Sequence, residues 1–335
     1  MEIIPRQRAI RITDSSQPSE ARRVAMSFSD ELRFSETRRG QAGIVVTEAA
    51  RNVLLHGQGG EIVLSAWNGS SSVLDVLALD KGPGIKDLAQ CVRDGYSTAG
   101  TPGTGLGAIV RLASLFEVQS QEEAGTALLA RLSEGKEAGR YFDVGAINIP
   151  VAGEEECGDA WSAHHGPGSS LFMVADGLGH GPAAAEAAQE AVRVFQESVH
   201  LSLHEMLSRM HDALKKTRGA AVSITEIHTD TGTVKYAGVG NISASLISGG
   251  KTRSMVSHNG TLGHTEVRVQ EFQYPWPKDA LLVMHSDGLS ARWNLDRYPG
   301  LQGKHSQLIA GVLYRDFRRE RDDATVLVAR EVSHA

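Results

Sequence analysis

The sequence predicts an α/β protein of two domains, an α/β sandwich of strands and helices followed by antiparallel sheets sandwiched by helices. Three observations carry this expectation. The chain has 335 residues, more than one hydrophobic core usually organises. Strand-length apolar runs alternate with helical periods up to about residue 131, whereas nearly all the patterned segments beyond residue 220 are strand-like and separated by turns. Between the two patterns lies Ser133-Glu-Gly-Lys-Glu-Ala-Gly-Arg140, polar and punctuated by glycine, which reads as a linker. The domains then span 1–134 and 141–335, with 135–140 joining them.

In the first domain, residues 8–13 read as a strand, and Ser16-Gln-Pro18 opens a helix with proline in the first turn, where its missing N–H costs little. A second helix runs over 35–56, with apolar Ile44, Val45, Ala49, Val53 and Leu54, and stops at Gly57. Strands over 61–67 and 73–79 flank the turn Asn68-Gly-Ser-Ser, a helix is predicted over 106–116, and a last strand over 127–131. In the second domain, strands are expected over 143–151 and 171–175, then helices over 183–199 and 202–216. Strands follow over 221–227, 234–239, 243–247, 251–256, 266–274, 281–285 and 325–329.

Composition narrows the function. With 34 Lys+Arg against 40 Asp+Glu, the net charge of −6 lacks the basic excess of a phosphate-backbone binder, so nucleic acid is not an expected partner. The two cysteines, Cys91 and Cys157, form neither a disulfide framework nor a Cys-x-x-Cys motif, and no apolar run approaches the roughly 18 residues of a membrane span. A cytoplasmic protein without a membrane partner is expected. Glycine makes up 36 residues, about 11% against roughly 7% in ordinary proteins, and concentrates in two stretches, 82–107 with seven and 158–181 with six. Each stretch lies beside residues that carry chemistry.

Glu48, Asn52 and His56 are spaced by four in the second predicted helix and therefore share one face, offering a carboxylate and a carboxamide for Mg²⁺ and a water or hydroxyl. Asp80-Lys-Gly82-Pro-Gly84 follows an apolar strand, where the aspartate can accept a hydrogen bond from an exocyclic amine and the glycines let the backbone pass close to a ring. Gly100-Thr-Pro-Gly103-Thr104-Gly105-Leu106-Gly107 opens a helix, and its backbone N–H groups suit phosphates. These motifs, with Gly95-Tyr-Ser-Thr98 and Gly125-Thr126, resemble the Bergerat-fold (GHKL) ATPases over residues 8–131, in particular the anti-sigma and RsbT-type serine kinases. The resemblance implies a Bergerat-fold α/β sandwich that binds ATP. It assigns Asn52 to Mg²⁺ on the ATP phosphates, Asp80 to the adenine amino group, and Glu48 to accept a proton from a substrate serine. Gly82, Gly84, Gly103, Thr104, Gly105, Leu106, Gly107 and Thr126 would complete the ATP site, while Arg51 and His56 read as structural.

In the second domain, acidic residues recur at strand ends: Gly158-Asp159, Asp176-Gly177-Leu-Gly179-His180-Gly181, Ser286-Asp287-Gly288 and Asp322-Asp323. Carboxylates converging from loops are the usual ligands of Mg²⁺ or Mn²⁺. The ordered set resembles the metal-dependent (PPM) serine/threonine phosphatases over 141–331, in the SpoIIE branch and of the RsbX type. This implies an α-β-β-α sandwich in which Asp176 bridges two metals, with the Gly177 carbonyl on one and Asp287 and Asp322 on the other. Asp159 would act near the metals, Asp323 is an alternative to Asp322, and a metal-activated water would attack phosphoserine. His180 is open to two roles, protonating the leaving oxygen or shaping the turn. No counterpart of the phosphate-gripping arginine of the eukaryotic branch is evident. Cys157 reads as a packing residue, and His164 and His165 as a solvated, Gly/Pro-flanked loop.

Together the two resemblances imply a bifunctional serine kinase and phosphatase of a partner-switching, stressosome-like pathway. The implied phosphoserine substrate is a STAS-domain antagonist, and a sigma factor or other regulator is a further partner class. Two alternatives stay open: a phosphatase whose ATP domain only senses nucleotide, and an anti-sigma-like binding module.

Overall fold

The computed structural model describes residues 6–68, 71–87, 105–135, 142–264 and 267–332. Its contacts divide the chain into two compact units, one of residues 5–139 with 303–315, the other chiefly of 140–302 and 316–335.

The first unit contains β1 (Arg6–Ile12), α1 (Gln17–Glu31), α2 (Glu36–Leu55), β2 (Gly60–Asn68), β3 (Ser72–Asp80), α3 (Gly105–Leu112), β4 (Leu115–Gln121) and β5 (Gly125–Glu134). The strands form one antiparallel sheet in the order β1-β2-β3-β5-β4. Ser35 caps α2 by accepting from the Arg38 amide, and small residues let α2 lie close to α1, where a Cβ at Gly43 would meet Met26 Sδ at 3.3 Å. The core faces α1 and α2: Val45, Val46, Ala49 and Val53 pack with Ile62, Leu64, Leu74, Val76 and Ala78. At the end of β3 the chain needs glycine, because a Cβ on Gly57 would stand 2.6 Å from that of Asp80.

The helix expected over 106–116 stops at Leu112, and Leu115–Gln121 forms β4 instead. Leu115 and Phe116 pair with Arg131 and Ala130 of β5, so ladder bonds override a short apolar run that periodicity alone cannot assign.

Within this unit also sits most of a sixth helix, α6 (Ser306–Phe317), which lacks any counterpart in the sequence-based reading. Every residue from Ser306 to Arg315 is buried, as expected of a helix apolar around much of its circumference. It lies on the second face of the sheet, where a Cβ on Gly311 would meet Leu77 at 3.0 Å and Leu79 at 3.4 Å. The His305 amide donates to Glu117 Oε2 of β4 at 2.7 Å.

The second unit holds β6 (Phe142–Ile149), β7 (Asp159–His165), β8 (Ser170–Gly177), α4 (Pro182–Ser198), α5 (Leu203–Leu214), β9 (Ala220–His228), β10 (Thr233–Val239), β11 (Ser243–Ser248), β12 (Lys251–Ser254), β13 (Phe272–Pro275), β14 (Leu281–His285) and β15 (Ala324–Glu331). Two antiparallel sheets result, β13-β10-β9-β8-β7 and β12-β11-β14-β15-β6. They face one another through contacts such as Phe142 with Phe172, ring centroids 5.4 Å apart, and Thr225 Oγ1 with Met284 Sδ at 3.4 Å. Helices α4 and α5 cover the outer face of the first sheet, burying Ala187, Ala188, Phe195, Leu207 and Met210 against Met173, Val222 and Ile224. A capping box between Ser202 and Glu205 starts α5.

Two readings are corrected here. His164 and His165 belong to β7, where His165 stacks on Phe142 at 5.9 Å and shares a hydrogen bond with Ser170 Oγ, so the pair serves the sandwich. The strand expected over 266–274 shortens to Phe272–Pro275, with 267–271 irregular and 266 outside the described residues. Among the described residues, no helix is long and apolar enough to cross a membrane.

Candidate functional sites

In the first unit, α2 presents Glu48 and Asn52 on the face that meets the start of α3. A Cβ on Gly105 would lie 2.8 Å from Glu48 Oε2 and 3.7 Å from Asn52 Oδ1. The helix N-terminus, a carboxylate and a carboxamide therefore converge, an arrangement in which unpaired amides favour a phosphate and the side-chain oxygens favour its counter-cation. Arg51 pairs with Glu48 at 3.4 Å and is exposed. Leu106 and Gly107 continue α3, and Gly107 is buried. Gly103, Thr104 and the Gly95–Thr98 segment lie outside the described residues.

Asp80 ends β3 with its carboxylate held in place, since Oδ1 accepts from the amides of Gly82 and Thr126, each at 3.0 Å. Burial pushes this carboxyl above the ordinary range, and those two bonds, then Arg315 and His56, pull it back. Neighbouring glycines make the approach possible. Cβ atoms at Gly84 and Gly125 would stand 2.1 Å from the carbonyl oxygens of Gln121 and Asp80, respectively, and both glycines have positive φ. Thr126 is buried, its hydroxyl 3.0 Å from Ser120 Oγ, which itself accepts from the Ile85 amide. Ser120 and Arg315 are participants that no local motif announces.

In the second unit, Asp159 and Asp176 oppose one another across the β7–β8 ladder. Asp159 is buried and accepts from Ser286 Oγ at 2.6 Å, which ties β7 to the residue before Asp287. Its carboxyl is pushed well up by burial and by Asp176. Asp176 is pushed up to about 7, first by burial and then by Asp287, Asp322 and Asp323. Burial and the neighbouring Asp287 likewise raise Asp322. Asp287 Oδ2 also accepts from Asn241 Nδ2 at 2.7 Å.

Asp323 is used differently. Its Oδ1 accepts from the Val151 amide at 2.8 Å and its Oδ2 from the Gly158 amide at 2.9 Å, so it clamps the loop between β6 and β7. Gly177 and Gly288 permit the closeness of these loops, since a Cβ would fall 2.1 Å from the Ala184 carbonyl oxygen or 1.7 Å from that of Asp323. His180 Nδ1 pairs with Glu154 Oε1 at 2.9 Å. Burial, then Asp159 and Asp323, push the Cys157 thiol well above its ordinary value, and its sulfur accepts from Asn148 at 3.3 Å, which suits a packing residue.

Five carboxyl groups whose charges oppose one another suit hard divalent cations, whose charge offsets that repulsion. Among the described residues, no three His, Cys, Asp or Glu side chains are drawn together tightly enough to ligate an ion as they stand.

Comparison with known proteins bears on both units. Residues 13–132 match the histidine kinase-like ATPase domain, and residues 166–331 match stage II sporulation protein E, SpoIIE. The serine/threonine-protein kinase RsbT of Bacillus subtilis (strain 168) is 30% identical over 125 residues, which cover 37% of this chain and 94% of RsbT. The phosphoserine phosphatase RsbX of the same organism is 26% identical over 139 residues, 41% of this chain and 70% of RsbX. A solved structure from work on the bacterial stressosome as a modular system is 27% identical with a TM-score of 0.54, covering 57% of this chain and all of the other. RsbX in complex with magnesium, 20% identical with a TM-score of 0.50, covers 58% of this chain and 98% of the other and shares the fold. The chain thus belongs to the RsbT family through its histidine kinase-like ATPase domain, to which it joins a SpoIIE-type PPM phosphatase domain.

Proposed function

We propose that the chain is a bifunctional protein serine kinase and phosphatase of a partner-switching pathway. The observation that carries the kinase half is the meeting of Glu48 and Asn52 with the N-terminus of α3 at Gly105. ATP would lie with its adenine amino group on Asp80 and its phosphates at the start of α3, with Asn52 holding Mg²⁺. Gly82, Gly84 and Thr126 would shape the base pocket, and Gly103, Thr104, Leu106 and Gly107 the phosphate end. Glu48, within reach of that end, would accept the proton of the attacking serine hydroxyl.

For the phosphatase half, Asp176, the Gly177 carbonyl, Asp287 and Asp322 would hold two divalent cations, Mg²⁺ or Mn²⁺. Such ions supply Lewis acidity and an acidified water when bound. Asp159 would stand behind Asp176, fixed by Ser286. The two backbone amides on Asp323 favour Asp322 as the ligand and Asp323 as the clamp. His180, paired with Glu154, fits the turn better than a proton donor.

RsbT and RsbX similarity supports a STAS-domain protein as the phosphoserine substrate, with a sigma factor or another regulator as a further partner, in the cytoplasm. The test is incubation of the purified chain with γ-labelled ATP and STAS proteins encoded nearby, with and without Mn²⁺. Label should appear on serine and then be lost when Mn²⁺ is present. No labelling despite ATP binding would leave a phosphatase with a nucleotide-sensing domain, and stable capture of a sigma factor without labelling would indicate an anti-sigma-like module.

A further inference from the structure

Arg315 approaches the nucleotide site from the far end of the sequence. It lies in the last turns of α6, four residues after Gly311 and hence on nearly the same helix face. Gly311 rests on Leu77 and Leu79, the outward residues of β3 that lead into Asp80. From there the buried Arg315 guanidinium donates through Nη1 to the Asp80 main-chain oxygen at 3.2 Å.

Asp80 is therefore gripped at two points. Its carboxylate takes the Gly82 and Thr126 amides on Oδ1, and no protein donor falls on Oδ2 among the described residues, leaving that oxygen for a ligand. Its carbonyl is held by Arg315, outside the 13–132 region that the ATPase family covers.

We propose that Arg315 is a positioning residue of the nucleotide site, fixing the main chain at Asp80 so that Oδ2 faces the exocyclic amine of adenine. The proximity of the cation also favours the ionised carboxylate, the form that accepts from adenine and repels the carbonyl oxygen of guanine. This rests on Asp80 being the adenine contact.

The test uses the full chain and the fluorescent nucleotides N-methylanthraniloyl-ADP and -GDP. Wild type should prefer the adenine nucleotide, and D80N should lose that preference. R315Q should raise the Kd for the adenine probe about tenfold, the size of one charged hydrogen bond, with little change for the guanine probe. R315K, which keeps the charge, should recover part of the preference, and it replaces R315Q as the deciding variant if R315Q does not fold. An unchanged adenine-to-guanine ratio in R315Q, or in R315K where that variant decides, would overturn the inference if D80N has lost the preference. A wild type without preference, or a D80N that keeps it, would overturn the assignment of Asp80 and this inference with it.

Discussion

Asp159 stands directly across the β7–β8 ladder from Asp176, so two carboxyl groups face one another at the edge where Asp287 and Asp322 also arrive. Like charges placed opposite in a sheet destabilise it unless something offsets them.

Burial of Asp176, with Asp287, Asp322 and Asp323 close by, sets a pH dependence. Asp176 is held up to about 7 from an ordinary 3.8, so between those values the folded chain binds a proton that the unfolded chain has released. Stability of the metal-free protein should therefore fall as pH rises from about 4 to about 7. Divalent cations compete with that proton, so the rise in Tm on adding Mn²⁺ should be larger at pH 7.5 than at pH 5.5. Equal rises at both values in a thermal melt would contradict the clustering.

The two adjacent aspartates should separate by phenotype. Asp323→Asn places an amide where two backbone donors already point, which should cost about 1–3 kcal/mol in chemical unfolding. Asp322→Asn should leave stability of the metal-free protein unchanged or raised, because it removes repulsion with Asp287, while Mn²⁺-dependent hydrolysis of p-nitrophenyl phosphate falls sharply. The reverse pairing of effects would exchange their roles.

Separable sites predict separable losses. Glu48→Ala should abolish transfer from labelled ATP while hydrolysis of a phosphoserine substrate persists, and Asp176→Asn should do the opposite. One substitution that removes both activities in a folded protein would argue against two sites.

On the second face of the first sheet, Asp75 and Arg131 form a doubly hydrogen-bonded pair at 2.7 and 2.8 Å, with side-chain exposures of 0% and 5%. Arg131→Met leaves a buried carboxylate without its cation and should cost about 3–5 kcal/mol, read as a lower midpoint in urea. A change under about 1 kcal/mol would mean that water or another group replaces the guanidinium.

Both candidate sites are legible in sequence where chemistry is local. The spacing of Glu48 and Asn52 places them on one helix face, and Asp80 and Asp176 end apolar strands, so periodicity alone positions them. What escapes is non-local. Strand β7 carries Asp159 and two histidines, and its ladder with β8 rather than its composition makes it a strand. Helix α6 is buried over successive residues and so lacks the one-sided stripe that marks a surface helix. Arg315 acquires its role from Asp80, 235 positions earlier, and only tertiary packing joins them. The distinction between Asp322 and Asp323 likewise depends on the Val151 and Gly158 amides.

Because the first unit takes in residues 303–315, its order of synthesis differs from its order in space. The strands of its sheet leave the ribosome early, but the helix that covers Leu77 and Leu79 follows about 180 residues later, roughly 10–35 s at ordinary elongation rates. During that interval the face that carries Leu77, Leu79 and the Asp75–Arg131 pair lacks its helical cover. A fragment that stops at residue 139 would leave Leu77 and Leu79 without that cover.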